Sequence, residues 1–416
     1  MNYQLNKGGE IMEFILRNKI KLIYTKTTSN LTSISISIDA GACKEKKLLG
    51  VAHATEHMLY KGTKKRNEEK INKDLSKIFG FQNAMTNFPY VIYYGTMLNE
   101  DLKNGIELFS DIILNPIFPS EGFQEEMNVI VEELKEWDEE LEQYCEDRLF
   151  FNSFTERRIK YPIIGISEDL QKIKLKDIQQ FYRENYLPHK TSIAIVSSLE
   201  FEEVKNMVER YFESWVSIYE DNSKENISYE NSNFGFYRDI KDGINTCKVQ
   251  IIFPINDLSY NEIKALRIFN EYFGEGVNSV LFDILRTKNG LVYDVLTKIS
   301  YEKYIKLYKI TYSTSKENLD KSLELINECI NKIDMLKKDI SDNDILDFIK
   351  SIKLKRWFRE EQNIILAKEL STYSTMFGDY KTYSDEFNNI DFINKNYILD
   401  VAKKVLKNKS IQVISN

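Results

Sequence analysis

Apolar and polar positions alternate along the first forty residues. Residues 14–24 (FILRNKIKLIY) read as two short strands joined by an Asn-Lys turn, and 31–40 (LTSISISIDA) as a strand of period two. The period then lengthens. A helix is predicted to start near Gly50 and run through VAHATEHMLY, and another over 67–79, stopped by Gly80. Residues 84–98 (AMTNFPYVIYYGTML) predict a hairpin or strand pair. Residues 99–114 predict an amphipathic helix closed by Asn115 and Pro116. From Ser120 one long helix is predicted, through EGFQEEMNVIVEELKEWDEELEQYCEDRLFF. Helices over 175–186 and 202–216 flank a strand at 191–196.

The second half repeats this order of elements. CKVQIIF (247–253) stands where the period-two strand stood, and 261–273 where the first helix stood. A helix, a Gly and paired strands follow over 278–313. Residues 316–333 and 343–370 match the third helix and the long helix. The tail matches 175–197: a helix, then an edge-type strand. The polar stretch 219–234 (YEDNSKENISYENSNF) lacks periodicity and reads as a linker. The expectation is an α+β protein built from a duplicated unit, each copy a mostly antiparallel sheet with helices packed on one face. The expected domains are 1–218 and 235–416, joined by the linker 219–234.

Composition narrows the classes. Hydrophobic residues make up 42% and charged residues 29%, as in an ordinary globular chain. The net charge of -7 comes without a basic block, which argues against nucleic acid as a partner. No apolar run approaches a membrane span, and no secretory leader is evident. The four cysteines, Cys43, Cys145, Cys247 and Cys329, are scattered without a C-x-x-C pair. That suits a reducing compartment, and a cytoplasmic location is expected.

The chain has three histidines, and two of them stand four apart in HATEH, at His53 and His57. On a helix these imidazoles share a face and can bind one Zn²⁺, with Glu56 beside the second ligand. The order inverts the H-E-x-x-H arrangement. A zinc ion that does chemistry takes three protein ligands and keeps one position open. His189, in a Y-L-P-H-K turn, is expected on a surface loop. The third ligand is therefore sought among the acidic residues of the long helix. Glu126 and Glu133 lie two turns apart on one face, with apolar Val129 and Ile130 between them consistent with a buried stripe. The pattern alone does not choose among these carboxylates. The second half has no histidine, so the metal site belongs to the first.

These residues resemble the pitrilysin/insulinase family of zinc peptidases, in particular its half-length branch, which resembles the mitochondrial processing peptidase. The family signature G-x-x-H-x-x-E-H-M-x-x-K-G-T reads GVAHATEHMLYKGT over 50–63. In the family the last ligand follows about 76 residues after the second histidine. That count implies Glu133 in EMNVIVEE (126–133), with Glu132 as its rival and Glu126 as a supporting carboxylate. NAMT (83–86) matches an N-A-x-T strand, so Asn83 and Ala84 are implied to align substrate backbone. NPIF (115–118) and Gly165 follow in family order. RTKNGLVY (286–293) matches R-x-x-x-G-L-x-Y, so Arg286 and Tyr293 are implied to engage substrate near the scissile bond. Two positions depart from the family: Phe79 replaces the first Gly of a usual pair, and Val280 replaces an Arg.

The resemblance implies a zinc-dependent endopeptidase or oligopeptidase acting on short or unstructured peptides. Glu56 is the implied general base, in a catalytic first domain, with the second domain contributing substrate-binding residues. A maturation protease for a small precursor, or a non-catalytic peptide-binding subunit of a protease-like complex, is the alternative. A homodimer is the simplest expected assembly, with a hetero-partner subunit as its alternative. Neither nucleic acid nor membrane is an expected partner.

Overall fold

The computed structural model describes residues 10–217, 227, 229, 233–338 and 340–416, so the segment read as a linker falls largely outside the described residues. One sheet contains β1 (Ile11–Ile15), β2 (Lys21–Lys26), β3 (Leu31–Ile38), β4 (Phe79–Thr86), β5 (Val91–Leu98) and β6 (Thr191–Ser197) in the order β1-β2-β6-β3-β5-β4. A second contains β7 (Phe236–Ile240), β8 (Cys247–Pro254), β9 (Val292–Tyr301), β10 (Lys306–Thr314) and β11 (Ser410–Ser415) in the order β7-β11-β8-β10-β9. Each sheet is antiparallel except for one pair, β2 with β6 and β7 with β11. The order β2-β6-β3-β5-β4 is thus repeated by β7-β11-β8-β10-β9, which is the duplication expected from element order.

The strands ending each repeat are interior, not edge strands as expected. β6 lies between β2 and β3, and β11 between β7 and β8. The parallel partner of β11 is FYRDI, whose polar composition gives no strand signal.

Helices of eight residues or more are α1 (Val51–Leu59), α2 (Glu68–Ile78), α3 (Leu102–Leu114), α4 (Phe123–Glu139), α5 (Leu141–Ser153), α6 (Leu175–Asn185) and α7 (Phe201–Phe212) in the first half. The second half has α8 (Tyr260–Phe273), α9 (Leu319–Asn331), α10 (Asp342–Glu360), α11 (Asn363–Phe377) and α12 (Lys395–Val405). Asn67 caps α2 by accepting a hydrogen bond from Lys70 N, 3.0 Å away. Among the described residues no helix is long and apolar enough to cross a membrane.

The single long helix predicted from Ser120 is two helices, α4 and α5, parted at Glu140 with ψ 100°. The predicted helix over 343–370 is likewise parted, into α10 and α11, at Gln362 with ψ 105°. Neither break carries a Gly or Pro. Both fall close to places where the chain leaves one compact unit for the other. One unit comprises residues 1–135, 162–226 and 357–385, and the other 136–161, 227–356 and 386–416. The units are therefore not the contiguous stretches 1–218 and 235–416. α5 belongs with the second sheet and α11 with the first.

In the first unit Ile34, Ile36, Ile38, Ile193 and Ile195 are fully buried on the face that carries α1, α3, α6 and α7. Ser33, Ser35 and Ser37 on the opposite face are also fully buried. There α11 covers them: Ser371 Oγ is 2.8 Å from Ser35 Oγ, and Ser374 Oγ is 2.9 Å from Ser192 Oγ. These bonds offset the cost of taking hydroxyls out of water. In the second unit α5 performs the same service. Gln250 Nε2 donates to Glu142 O at 3.0 Å, and Asn152 Nδ2 to Gln412 Oε1 at 2.9 Å. Each unit is thus a mostly antiparallel sheet with its main set of helices on one face, and one exchanged helix on the other.

Asp147 on α5 accepts hydrogen bonds from Trp137 Nε1 at 2.8 Å and Gln143 Nε2 at 3.0 Å. Burial, with the nearby charges of Glu146 and Asp138, nevertheless pushes its carboxyl up to about 7 from 3.8. Across this window the folded chain holds a proton that the unfolded chain has lost, so the carboxyl's contribution to stability falls as pH rises from about 4 to 7. Asp147→Asn is expected to stabilise the protein by on the order of 2 kcal/mol near pH 8 and by much less near pH 5. Urea denaturation at the two pH values measures the difference, and an equal effect at both would reject the assignment.

Candidate metal centre

The site begins with how α1 is seated. Gly50, its N-cap, has φ 90°, and Gly165 has φ 100°. A Cβ on Gly50 would lie 2.4 Å from Ile164 O, and one on Gly165 2.6 Å from Leu49 O. Only glycine at both places lets these two backbones meet. Glu45 Oε1 accepts from Gly50 N at 3.0 Å and Ala52 N at 2.9 Å, which satisfies amides at the helix start. Ala52, Ala54, Met58 and Leu59 are buried, leaving His53 and His57 together on another face, their ring centroids 4.5 Å apart.

α4 brings the carboxylates. Its buried stripe is Met127 and Ile130; Val129, expected in that stripe, is 52% exposed. This rotation turns Glu126 and Glu133 toward α1. Glu132 points elsewhere, with a side chain 68% exposed and paired to Lys135 at 2.7 Å. His189, in the turn Pro188–Lys190, is not part of the cluster.

One donor atom each from His53, His57 and Glu133 all lie within 4.8 Å of one another. His53 Nε2 is 3.7 Å from Glu133 Oε1, and His57 Nε2 is 3.6 Å from Glu133 Oε2. Those distances are too long for hydrogen bonds. They match two donors that share an ion through bonds of about 2.0–2.1 Å, which a tetrahedral arrangement sets roughly 3.4 Å apart. The His/His/Glu group is therefore capable of coordinating a metal ion, and it supplies three ligands, not four.

The surroundings prepare the donors. Burial, then the neighbouring His57, pulls the His53 imidazole down to about 3, so it is neutral at physiological pH. His57 Nδ1 is 2.7 Å from Glu126 Oε1. With the proton on Nδ1, this bond leaves the Nε2 lone pair for a metal. Burial lowers the His57 pKa, but the Glu126 bond and the charges of Glu56, Glu126 and Glu133 outweigh that and raise it. The same bond, against some desolvation and with help from Lys61, holds Glu126 well below the usual carboxylate range. Glu56 is 8% exposed, and burial lifts its carboxyl to about 6 although Thr86 bonds it.

Thr86 Oγ1 donates to Glu56 Oε2 at 2.5 Å. Sequence reasoning gave Thr86 no role of its own; its only signal was the last position of N-A-x-T. Asn83 and Ala84 lie on β4, an outer strand of its sheet, which among the described residues pairs with β5 alone. Arg286 and Tyr293 belong to the second unit, where Arg286 Nη1 donates to Tyr293 O at 2.5 Å and its guanidinium lies 4.6 Å from the Tyr293 ring centroid. Tyr293 is 83% exposed.

Two family models match the chain in succession: "Insulinase (Peptidase family M16)" over residues 21–166 and "Peptidase M16 inactive domain" over 172–352. The chain belongs to the pitrilysin/insulinase (M16) superfamily. The metal cluster falls in the first match and Arg286 and Tyr293 in the second. Among M16-like relatives, the chain is 22% identical to an uncharacterized zinc protease, YmxG, of Bacillus subtilis, over 95% of each chain. It is 28% identical to the β subunit of the mitochondrial-processing peptidase of Blastocladiella emersonii, over 43% of this chain and 39% of that one. A solved protease structure from Helicobacter pylori superposes with TM-score 0.87 over 98% of this chain and 100% of that one, at 18% identity, which speaks to the fold.

Two outcomes are expected. His57→Ala and Glu133→Gln each lose metal uptake, read by elemental analysis after dialysis against zinc; full occupancy in either variant removes that residue from the ligand set. Gly165→Ala, strained at φ 100° and crowded against Leu49 O, costs roughly 2–4 kcal/mol of stability in a denaturation curve.

Proposed function

We propose that the protein is a zinc-dependent peptidase whose metal is held by His53, His57 and Glu133. One observation carries this reading: a buried carboxylate, Glu56, stands on the same helix as two imidazoles that share a three-donor cluster with Glu133. A closed structural site has four protein ligands and no spare base beside it. Zinc bound here supplies a Lewis acid that polarises a carbonyl and acidifies water. Glu56, raised to about 6 by burial, then accepts the proton of the attacking water and delivers it to the leaving amine. Thr86 holds one oxygen of Glu56 and so fixes where the other points. Glu126 keeps the proton of His57 on Nδ1. An extended peptide pairs with the outer edge of β4 at Asn83 and Ala84, which reads its main chain. Arg286 and Tyr293 keep the substrate-binding role that the resemblance implies.

The relatives favour a narrower role over general turnover of short peptides. Several that match the chain bear the name mitochondrial-processing peptidase subunit beta. Matching regions in subunits of a processing enzyme support precursor maturation, or peptide binding within such an assembly, as this protein's task. A homodimer remains part of the proposal.

The test is cleavage of a precursor-like peptide set and a mixed library by purified protein, with zinc present or chelated, read by mass spectrometry. Glu56→Gln is expected to keep zinc and to lose at least about a thousandfold in kcat. Normal cleavage by that variant would remove Glu56 as the base. Products from few, defined sites favour maturation, and products from many favour turnover. Peptide binding without cleavage by zinc-loaded protein supports the non-catalytic alternative. Arg286→Ala is expected to raise KM while zinc content stays unchanged.

A further inference from the structure

Lys61 lies just beyond α1, four residues after His57, where the Tyr60 C-cap ends the helix. Its side chain is 14% exposed, and so is that of Glu126. Lys61 Nζ is 2.7 Å from Glu126 Oε2, while the other oxygen, Oε1, is 2.7 Å from His57 Nδ1. One carboxylate thus spans two side chains a helical turn apart, and each oxygen has its own partner. Lys61 also pairs with Glu68 Oε1 at 2.8 Å.

We infer that Lys61 is a positioning residue for the metal site, acting through Glu126 on His57. The inference rests on the metal reading of His53, His57 and Glu133. A carboxylate with one anchor can swing about its terminal torsions. The ammonium removes that freedom. It ties Oε2 and leaves Oε1 to hold the His57 proton on Nδ1. The Nε2 lone pair is then presented in one orientation before any metal arrives.

A second effect opposes this one, because a cation near a dication site lowers affinity. Two facts decide between them. Lys61 reaches His57 through the Glu126 carboxylate, and its charge is shared by two carboxylates, Glu126 and Glu68. Two carboxylates at 2.7–2.8 Å offset its charge, while the orientation it imposes on Glu126 remains. Partners that orient a ligand typically carry 10- to 100-fold in metal affinity, and one step further out the lower end applies.

The test is zinc affinity of the full-length apoprotein, by competition against a chelating indicator, for the parent, Lys61→Met, Lys61→Arg and Glu68→Gln. Lys61→Met is expected to bind zinc roughly tenfold more weakly, Lys61→Arg within about threefold of the parent, and Glu68→Gln like the parent. The unfolding midpoint of each apoprotein is measured alongside. Parent-like affinity in Lys61→Met overturns the inference. So does an equal loss in Lys61→Arg, or a loss that follows the unfolding midpoint across the set, either of which marks a merely structural residue. Should Lys61→Met fail to fold, Lys61→Gln takes its place, with the same roughly tenfold loss expected. A parent that takes up no zinc refutes the metal reading itself, and the inference with it.

Discussion

Charge compensation in a confined space is the constraint on which the site depends. Three carboxylates, Glu56, Glu126 and Glu133, crowd two imidazoles, and most of these groups are withdrawn from water. Each carboxylate is managed differently. Glu126 is bound on both oxygens, by His57 and Lys61. Glu56 is held by Thr86 and relieved by a raised pKa. Glu133 faces the two Nε2 atoms at 3.6–3.7 Å, too long for hydrogen bonds and close to the spacing of donors able to share one metal ion. The chemistry proposed for the protein follows from this division: one carboxylate orients, one moves a proton, one binds.

That arrangement needs α1 and α4 held in a fixed register. Backbone contact between Gly50 and Gly165 seats the start of α1, and Glu45 satisfies its first amides. Met127 and Ile130 set the rotation of α4. The central strands of the sheet beneath are buried on both faces, because α11 comes from the other half of the chain to cover the serine face of β3. The reciprocal placement of α5 on the second sheet makes each unit depend on a helix from the opposite half. Neither sheet could be completed by a contiguous half of this sequence.

Much of this was legible in the residue pattern. Period-two strands, helix starts and stops, and the repeat of element order led to two similar sheets with helices, and the spacing of His53, Glu56 and His57 announced a metal face. What misled was local. Val129 looked like part of a buried stripe, since periodicity defines a face to within a residue and no better. β6 and β11 looked like edge strands, because their parallel partners lie far off in sequence. The breaks at Glu140 and Gln362 carry no helix-ending residue, so a pattern with unbroken helical period was read as one helix.

The sequence by itself determined most of the helices and period-two strands and which two imidazoles share a face, because these patterns are written within a few residues of one another. It did not choose among Glu126, Glu132 and Glu133 on bare pattern; the count taken from a resemblance did. Only the tertiary structure decided that Glu126 bridges His57 and Lys61, and that Thr86 holds Glu56. The physical reason is reach. A side chain's role here is set by partners on other elements, such as Thr86 for Glu56, 30 residues away, and Glu126 for His57, 69 away. Those partners meet only after hydrophobic burial has fixed how α1, α4 and β4 pack.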